Sequence, residues 1–280
     1  LVGSEMCIRD SKNIVFTDIQ KGPVMRVATY ERGRLRFWTD PFEINVSNEF
    51  HFFTPSDSVQ DVTLFAKYTL RADEMFLNRM IGGTFEGSND PDFREKEVLY
   101  LINEKPKRLQ TVVQSYSSKS YRYVRYIGPK YSHCNIAEAA FYTPNDTASL
   151  KGKVIGTPGC FQKDGSHEYT NVFDGDVTTS FDYIEPSGGW SGLDLGTPKQ
   201  IGRIVYTPRS YDNYILSWDD YELFYCARRN NWKSLGDQRS KADSLIYIKI
   251  PVNALLLLCN NTRGIQERIF VYTAAEQIWK

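Results

Sequence analysis

The chain has 280 residues, and its 34 Lys and Arg residues balance its 34 Asp and Glu residues, so its net charge is close to zero. This balance excludes the basic excess that nucleic-acid-binding proteins usually carry, and we expect no nucleic-acid partner. The length allows one large domain or two ordinary ones. No run of about 18 apolar residues occurs in the sequence, which therefore predicts no membrane-spanning helix.

The first residues of the chain do not look like part of a fold. The sequence begins with Leu1-Val2-Gly3 rather than with Met, and residues 1–11 resemble an adapter-derived run found at the ends of open reading frames from metagenomic assemblies. We expect residues 1–11 to be a non-native leader, and we leave them out of the fold prediction. We also expect the natural protein to extend upstream.

Short strand-like runs follow one another along the rest of the chain. They are aromatic and β-branched, and Gly, Pro, Asn and Asp separate them, which is the pattern of strands. Only residues 72–80 suggest a short helical turn. Many short strands at regular spacing predict an all-β sandwich or barrel. The clearest strand-like runs are residues 24–27, 50–53, 121–126 and 245–248.

The turn chemistry of residues 143–147 marks the best internal boundary, because Pro, Asn and Asp follow a strong strand there. Motifs before this boundary are echoed after it in the same order. The sequence therefore favours two tandem domains, residues 12–146 and residues 147–280, over one large domain. The echoed pairs are 21–25 with 151–155, 62–68 with 201–206, 84–90 with 221–226, and 121–142 with 255–273.

Residues 172–196 join an Asp-Gly turn, a Thr/Ser/Phe run and a strand that ends in Leu-Asp-Leu-Gly. This stretch resembles the opening half of a discoidin domain, the coagulation-factor type C domain. Residues 86–90, 121–126 and 137–142 resemble the hairpin and the closing strands of that family. The resemblance implies two tandem jelly-roll β-sandwiches, the first of them degenerate. In such sandwiches, loops at one end bind glycans, lipids or proteins.

The overall pattern also resembles C-terminal discoidin-like modules of Bacteroidetes surface proteins, some of which follow a catalytic domain such as a transglutaminase-like one. The resemblance implies the C-terminal part of a larger exported protein, at the cell surface or in the periplasm. A truncation would then have removed the export signal. The implied partners are a glycan or another cell-surface ligand, and the upstream domain of the same chain.

The turn at residues 174–179 is rich in oxygen atoms. Asp174, Asp176 and Thr179 offer carboxylates and a hydroxyl, the hard ligands that Ca²⁺ prefers, so we expect a structural calcium ion as a candidate cofactor. Related discoidin-like sugar binders hold such an ion with a Glu from the last strand, a place that Glu267 could take. The alternative is a tight turn in which Asp caps backbone N–H groups and Gly175 supplies a positive φ.

The segment 208–218 lies between two strand-like runs and is predicted to be a loop at one end of a sandwich. Aromatic rings bind the apolar faces of sugars, and Arg, Asn and Asp bind their hydroxyls. The alternative is that these rings pack onto the sandwich and that Arg209 pairs with a nearby carboxylate. The candidate ligand-binding residues are Tyr183, Arg209, Tyr211, Asn213, Trp218 and Trp232.

No catalytic residue is predicted, because His51, His133 and His167 share no metal-binding spacing and no nucleophile or phosphate-binding motif occurs. We expect a non-catalytic, carbohydrate-binding module. The alternative is a structural spacer or protein–protein interaction domain of a truncated multidomain enzyme, either transglutaminase-like or a hydrolase. Cys226 and Cys259 are either small core residues or a disulfide pair.

Overall fold

The computed structural model describes residues 19–68, 71–229, 231–264 and 267–280 of the chain, without the side chains of residues 71–74. The expected leader, residues 1–11, lies outside this part. The chain forms two compact units. We call Leu1–Tyr68 with Ile215–Lys280 the split unit, because it comes from two stretches of chain. We call Thr69–Tyr214 the inserted unit, because it lies between those stretches in sequence.

Strands make up 46% of the chain and helices 4%, so the predicted all-β class is confirmed. The expected helical turn at 72–80 is present as helix α1, and no described helix has the length and apolar composition that crossing a membrane requires. In chain order the described elements are β1 (Ala28–Glu31), β2 (Arg34–Phe37), β3 (Phe42–Ile44), β4 (Phe50–Phe52), β5 (Val59–Leu64), α1 (Arg71–Arg79), β6 (Thr84–Ser88), β7 (Lys96–Leu101), β8 (Thr111–Gln114), β9 (Ser120–Ile127), β10 (Ile136–Tyr142), β11 (Lys153–Gly156), a 3₁₀ helix (Tyr169–Phe173), β12 (Trp190–Gln200), β13 (Arg203–Pro208), β14 (Asp220–Arg228), β15 (Asn231–Arg239), β16 (Leu245–Pro251), β17 (Leu256–Asn260), β18 (Ile269–Thr273) and β19 (Glu276–Trp279).

The inserted unit has two antiparallel sheets with a core between them. One sheet has five strands in the order β11-β12-β9-β6-β7, and the other has three in the order β10-β13-β8. The core is buried because apolar side chains alternate along each strand and point to the facing sheet. Phe85, Val124 and Leu193 come from the first sheet, and Phe141 and Ile204 from the second. This layering is that of a β-sandwich.

The split unit repeats this plan with different strands. Its five-stranded sheet has the order β15-β14-β17-β18-β19, and β16 pairs with β5 in a second, two-stranded sheet. Leu64 of β5 packs in one core cluster with Leu223 and Leu258 of the larger sheet. Phe53 and Trp232 form a separate cluster with Leu255. The hairpins β1–β2 and β3–β4 complete the described part of this unit.

The division of the chain differs from the expected one, because residues 146 and 147 both lie within the inserted unit. Strands from the two sides of that position pair with each other: β9 with β12, and β10 with β13. In the split unit, β5 pairs with β16 across the whole inserted unit. Two tandem sandwiches at 12–146 and 147–280 are therefore not confirmed. The echoed motifs occur in both units, but each unit combines strands from both halves of the sequence.

All four cysteines in the described residues are free. Cys226 is buried beside Leu255 and Phe53, as the core interpretation predicts. Cys259 lies opposite Glu222 in the β14–β17 ladder, so four residues of β14 separate it from Cys226. That spacing corresponds to ~13 Å along a strand, which is too far for a disulfide.

Two fragments test the observed division of the chain. Residues 69–214 should unfold cooperatively in urea, because they contain every strand of both sheets of the inserted unit. Residues 147–280 should show no cooperative transition, because β12 and β13 lose their partners β9 and β10. Circular dichroism and tryptophan fluorescence can follow both transitions. A cooperative transition in the 147–280 fragment would instead support the tandem arrangement.

Candidate functional site

A chain of polar contacts lies at one end of the inserted unit. Ile136 at the start of β10 pairs with Pro208 at the end of β13 and forms a β-bridge with Phe181. These contacts bring their chain neighbours Asn135, Arg209 and Asp182 together. Arg209 forms an ion pair with Asp182, and both side chains are only 12% exposed. The alternative that Arg209 forms an ion pair with a nearby carboxylate is thus confirmed. The opposite Asp182 oxygen accepts a hydrogen bond from Asn135 at 2.7 Å.

The helix α1 places an aromatic ring under this polar chain. Phe76 is buried, and the Arg209 guanidinium lies 4.6 Å from the centre of its ring. The ring of Tyr211 lies 5.3 Å from the same ring, yet the residue is 45% exposed. Arg79 of α1 donates a hydrogen bond to Asn135 at 3.1 Å and so ties the helix to the loops. Tyr211 is therefore partly exposed while Phe76 packs against its ring.

Two further predicted residues belong to the inserted unit but are less accessible. Asn213 is only 2% exposed, and its Oδ1 has no hydrogen-bond partner among the described residues. Tyr183 is half-buried: its N–H donates to the His133 carbonyl at 2.7 Å, and its ring packs on Phe181. Tyr183 can contribute at most the rim of a site, and Asn213 does not reach solvent.

Trp218 and Trp232 belong to the split unit and do not lie together. Trp218 precedes β14, is 63% exposed and has a φ of 75°, a left-handed conformation that a bulky residue rarely adopts. Trp232 lies opposite Cys226, near the other end of the β14–β15 hairpin. The hairpin separates them by ~25 Å. The six predicted ligand-binding residues are thus divided between the two units.

The Asp-Gly turn is held by its own side chains, as the capping alternative predicts. Asp174 accepts hydrogen bonds from the Asp176 N–H at 2.7 Å and from the Thr179 hydroxyl at 2.8 Å. The Asp176 carboxylate accepts from the N–H and the hydroxyl of Thr178. Gly175 has a φ of 86°, where a side chain would strain the turn. One oxygen of the Asp176 carboxylate is thus engaged by Thr178.

A residue that the sequence analysis did not select lies against this turn. The carboxylate of Glu138 on β10 accepts a hydrogen bond from the Gly175 N–H at 2.9 Å. Burial, and then a hydrogen bond to the Asp174 carboxyl, raise the pKa of Glu138 to about 8. The predicted ligand Glu267 belongs to the split unit, where it lies beside Cys259. Within the described ranges, no group of three His, Cys, Asp or Glu side chains is arranged to hold a metal ion.

Comparisons of the chain with protein-family models, with curated proteins and with solved structures find no match. The site is thus defined by its own geometry. That geometry adds Phe76, Asn135, Glu138 and Asp182 to the predicted residues. A signal existed for Glu138, which lies in the run 137–142 that resembles a discoidin closing strand. Phe76 and Asn135 carry no local signal, because only the fold brings them near Arg209.

The pKa of Glu138 predicts how stability depends on pH in metal-free protein. The folded-state pKa is about 8 and the ordinary value is 4.5. The folded state therefore binds the extra proton between these values, so the free energy of unfolding should be highest below about 4.5 and should fall until pH reaches about 8. Glu138→Gln, which stays neutral, should remove this decline. Urea unfolding at a series of pH values with a chelator present measures it.

Glu97→Gln is the matched control, because Lys119 lowers the pKa of Glu97 to about 2. The contribution of Glu97 to the free energy of unfolding is present above its ordinary pKa and is lost only as the pH falls towards 2. This variant should keep the decline between about 4.5 and about 8. An unchanged decline in Glu138→Gln would contradict the assignment.

Proposed function

We propose that the chain is a non-catalytic binding protein with a carbohydrate ligand, and that the inserted unit is a discoidin-type sandwich in permuted order. The closing motifs of that family, in β9 and β10, pair with its opening motifs, in β12 and β13. The motifs come from both halves of the sequence and form one unit, in which the closing half precedes the opening half. This combination supports the family resemblance.

The observation that carries the proposed function is the ring of Tyr211. It is 45% exposed, it rests on Phe76, and it lies near an arginine that Asp182 holds in place. An aromatic face can cover the apolar C–H face of a sugar ring, and fixed guanidinium N–H groups can donate to its hydroxyls. Because both groups are fixed before the ligand arrives, little side-chain entropy is lost on binding.

The second candidate function is a spacer or protein–protein interaction domain of a multidomain enzyme. Rings packed inward would favour a spacer, whereas Tyr211 and Trp218 are exposed, which favours binding. Export to the cell surface or periplasm, and contact with an upstream domain, remain predictions. Hydrolase or transglutaminase turnover by the purified chain would contradict a non-catalytic role.

A glycan array with the full chain tests the binding site. Tyr211→Ala should weaken binding by about threefold to tenfold, the range for loss of one aromatic contact. Tyr116→Ala is the matched control, since Tyr116 is also an exposed tyrosine of the inserted unit and follows β8, whose end pairs with the start of β13. Trp218→Ala tests the split unit separately. A silent array would favour the spacer, and equal binding by Tyr211→Ala would exclude this site.

We also propose that the Asp-Gly turn binds Ca²⁺ as a structural ion. The ligands would be the carboxylates of Asp174 and Glu138, with the hydroxyl of Thr179. The fit is supported by the raised pKa of Glu138, because two facing carboxyls favour either a shared proton or a cation. The ligand set differs from the expected one, since Glu138 replaces Glu267 and the carboxylate of Asp176 bonds to Thr178. The ion would offset the charge of the two carboxylates.

Calcium binding can be measured as a shift in Tm. At 100 times the Kd, a ligand stabilises the folded state by about 2.7 kcal/mol. The shift should be larger at pH 8 than at pH 5, because protonated Glu138 competes with the ion. Glu138→Gln and Asp174→Asn should both abolish the shift, while Asp176→Asn should reduce it less. No shift in the wild-type chain, or an undiminished shift in Glu138→Gln, would exclude this site.

A further inference from the structure

The hairpin β1–β2 of the split unit carries three exposed arginines, Arg32, Arg34 and Arg36, and one exposed carboxylate, Glu31. Its two-residue turn, Arg32-Gly33, has φ values of 50° and 76°, as in a type I′ turn. The first position of such a turn favours Asn, Asp or Gly, so an arginine there is strained. Strained residues of this kind concentrate at functional sites.

One face of the hairpin combines cations with an aromatic ring. The register pairs Thr29 with Arg36 and Glu31 with Arg34, so these four side chains share that face. Trp38 continues the same face and is 47% exposed. The guanidinium of Arg36 lies 4.5 Å from the centre of its indole ring.

The indole ring of Trp38 is fixed by two contacts, one of which is the Arg36 guanidinium over its face. Its Nε1–H already donates a hydrogen bond to the Thr29 hydroxyl at 2.8 Å. A ligand can therefore cover only the part of the ring that Arg36 leaves exposed, and the polar edge of the indole makes no competing demand. Arg34, Arg36 and Trp38 occupy alternate positions along one face of the hairpin, at backbone intervals of roughly 7 Å.

The cations of the hairpin exceed its carboxylates. Arg36 pairs with Glu31 at 3.1 Å, whereas Arg32 and Arg34 have no ion-pair or hydrogen-bond partner among the described residues. These four residues lie together on an open surface of the hairpin. Guanidinium groups donate in a planar fork that matches carboxylate and sulfate groups. The net positive charge and the two unpaired guanidinium groups of this surface therefore fit an anion.

We propose that this hairpin binds an acidic polysaccharide through Arg32, Arg34 and Trp38. The guanidinium groups take the charged substituents, and the indole face takes a sugar ring. The proposal rests on the proposed function in assuming a carbohydrate ligand, but it places a second site in the split unit and specifies an anionic ligand. Carboxylate and sulfate groups share the required chemistry, and the test separates them.

The experiment compares binding of the full chain to three dextrans with one backbone: unmodified dextran, carboxymethyl dextran and dextran sulfate. The hairpin variant is Arg32→Asn with Arg34→Gln. It should remain folded, because Asn suits the left-handed turn position and Arg34 is exposed. The control variant is Lys233→Gln with Lys241→Gln, which removes the same charge from two exposed positions of the split unit. Thermal unfolding confirms that both variants are folded.

We expect the wild-type chain to bind a charged dextran more tightly than unmodified dextran. The hairpin variant should lose at least about tenfold in affinity for the charged dextran, and the control less than about twofold. Trp38→Phe should retain more affinity than Trp38→Ala, because the first keeps a ring face. The comparison of the carboxymethyl and sulfate arms identifies the preferred anion.

Three results would overturn the proposal. One is an equal loss in the hairpin and control variants, which indicates non-specific attraction. Another is tighter binding of single-stranded DNA than of either charged dextran. The third is that no charged dextran binds while Tyr211→Ala still weakens the binding of a neutral glycan. That result would leave the proposed function standing. The converse result, charged-dextran binding that depends on the hairpin with a silent neutral array, would remove the Tyr211 site alone.

Discussion

The pairing of β9 with β12 is the interaction on which the inserted unit depends. The two strands approach so closely that a Cβ at Gly192 would lie 2.2 Å from the Val124 carbonyl oxygen. On the core side, this register brings Val124 and Leu193 into one cluster. On the other side, it places Arg125 against the rings of Phe93 and Trp190, with its charge paired to Glu86 at 2.7 Å. A buried arginine is tolerated there because both its charge and its flat faces have partners.

Much of the local structure could be predicted from the sequence. Alternating apolar residues and turn residues predicted the strands and the short helix α1, because these signals act over a few residues. The pairing of strands is different in kind. Similar strands occur in both halves of the chain, so the local pattern does not say which strand β9 pairs with. Which partner it takes depends on long-range packing, which neither periodicity nor turn chemistry records.

The same limit explains the outcome at the candidate site. The aromatic and arginine content of the loop pointed to Arg209 and Tyr211, and the structure holds both near one end of β13. Their supports, Phe76 and Asp182, could not be predicted, because α1 is more than 130 residues from Tyr211 in sequence. Glu267 was predicted as the calcium ligand in place of Glu138 because residues 147–280 were expected to form one domain, in which the strand near Glu267 closes the sheet. Each lies in or just before a closing strand, and the observed pairing puts Glu138 beside Asp174.

The insertion of one unit within the other also has a consequence for synthesis of the chain. In the split unit, Leu64 of β5 pairs with Leu245 of β16, 181 residues later in sequence. The ribosome makes the whole inserted unit before it makes β16, and domains commonly fold as units while the chain grows. The inserted unit can therefore be complete while β5 is still a lone strand with apolar side chains and free backbone groups. Such strands associate readily with other chains, so the vulnerable period of this protein is the interval between the synthesis of β5 and that of β16.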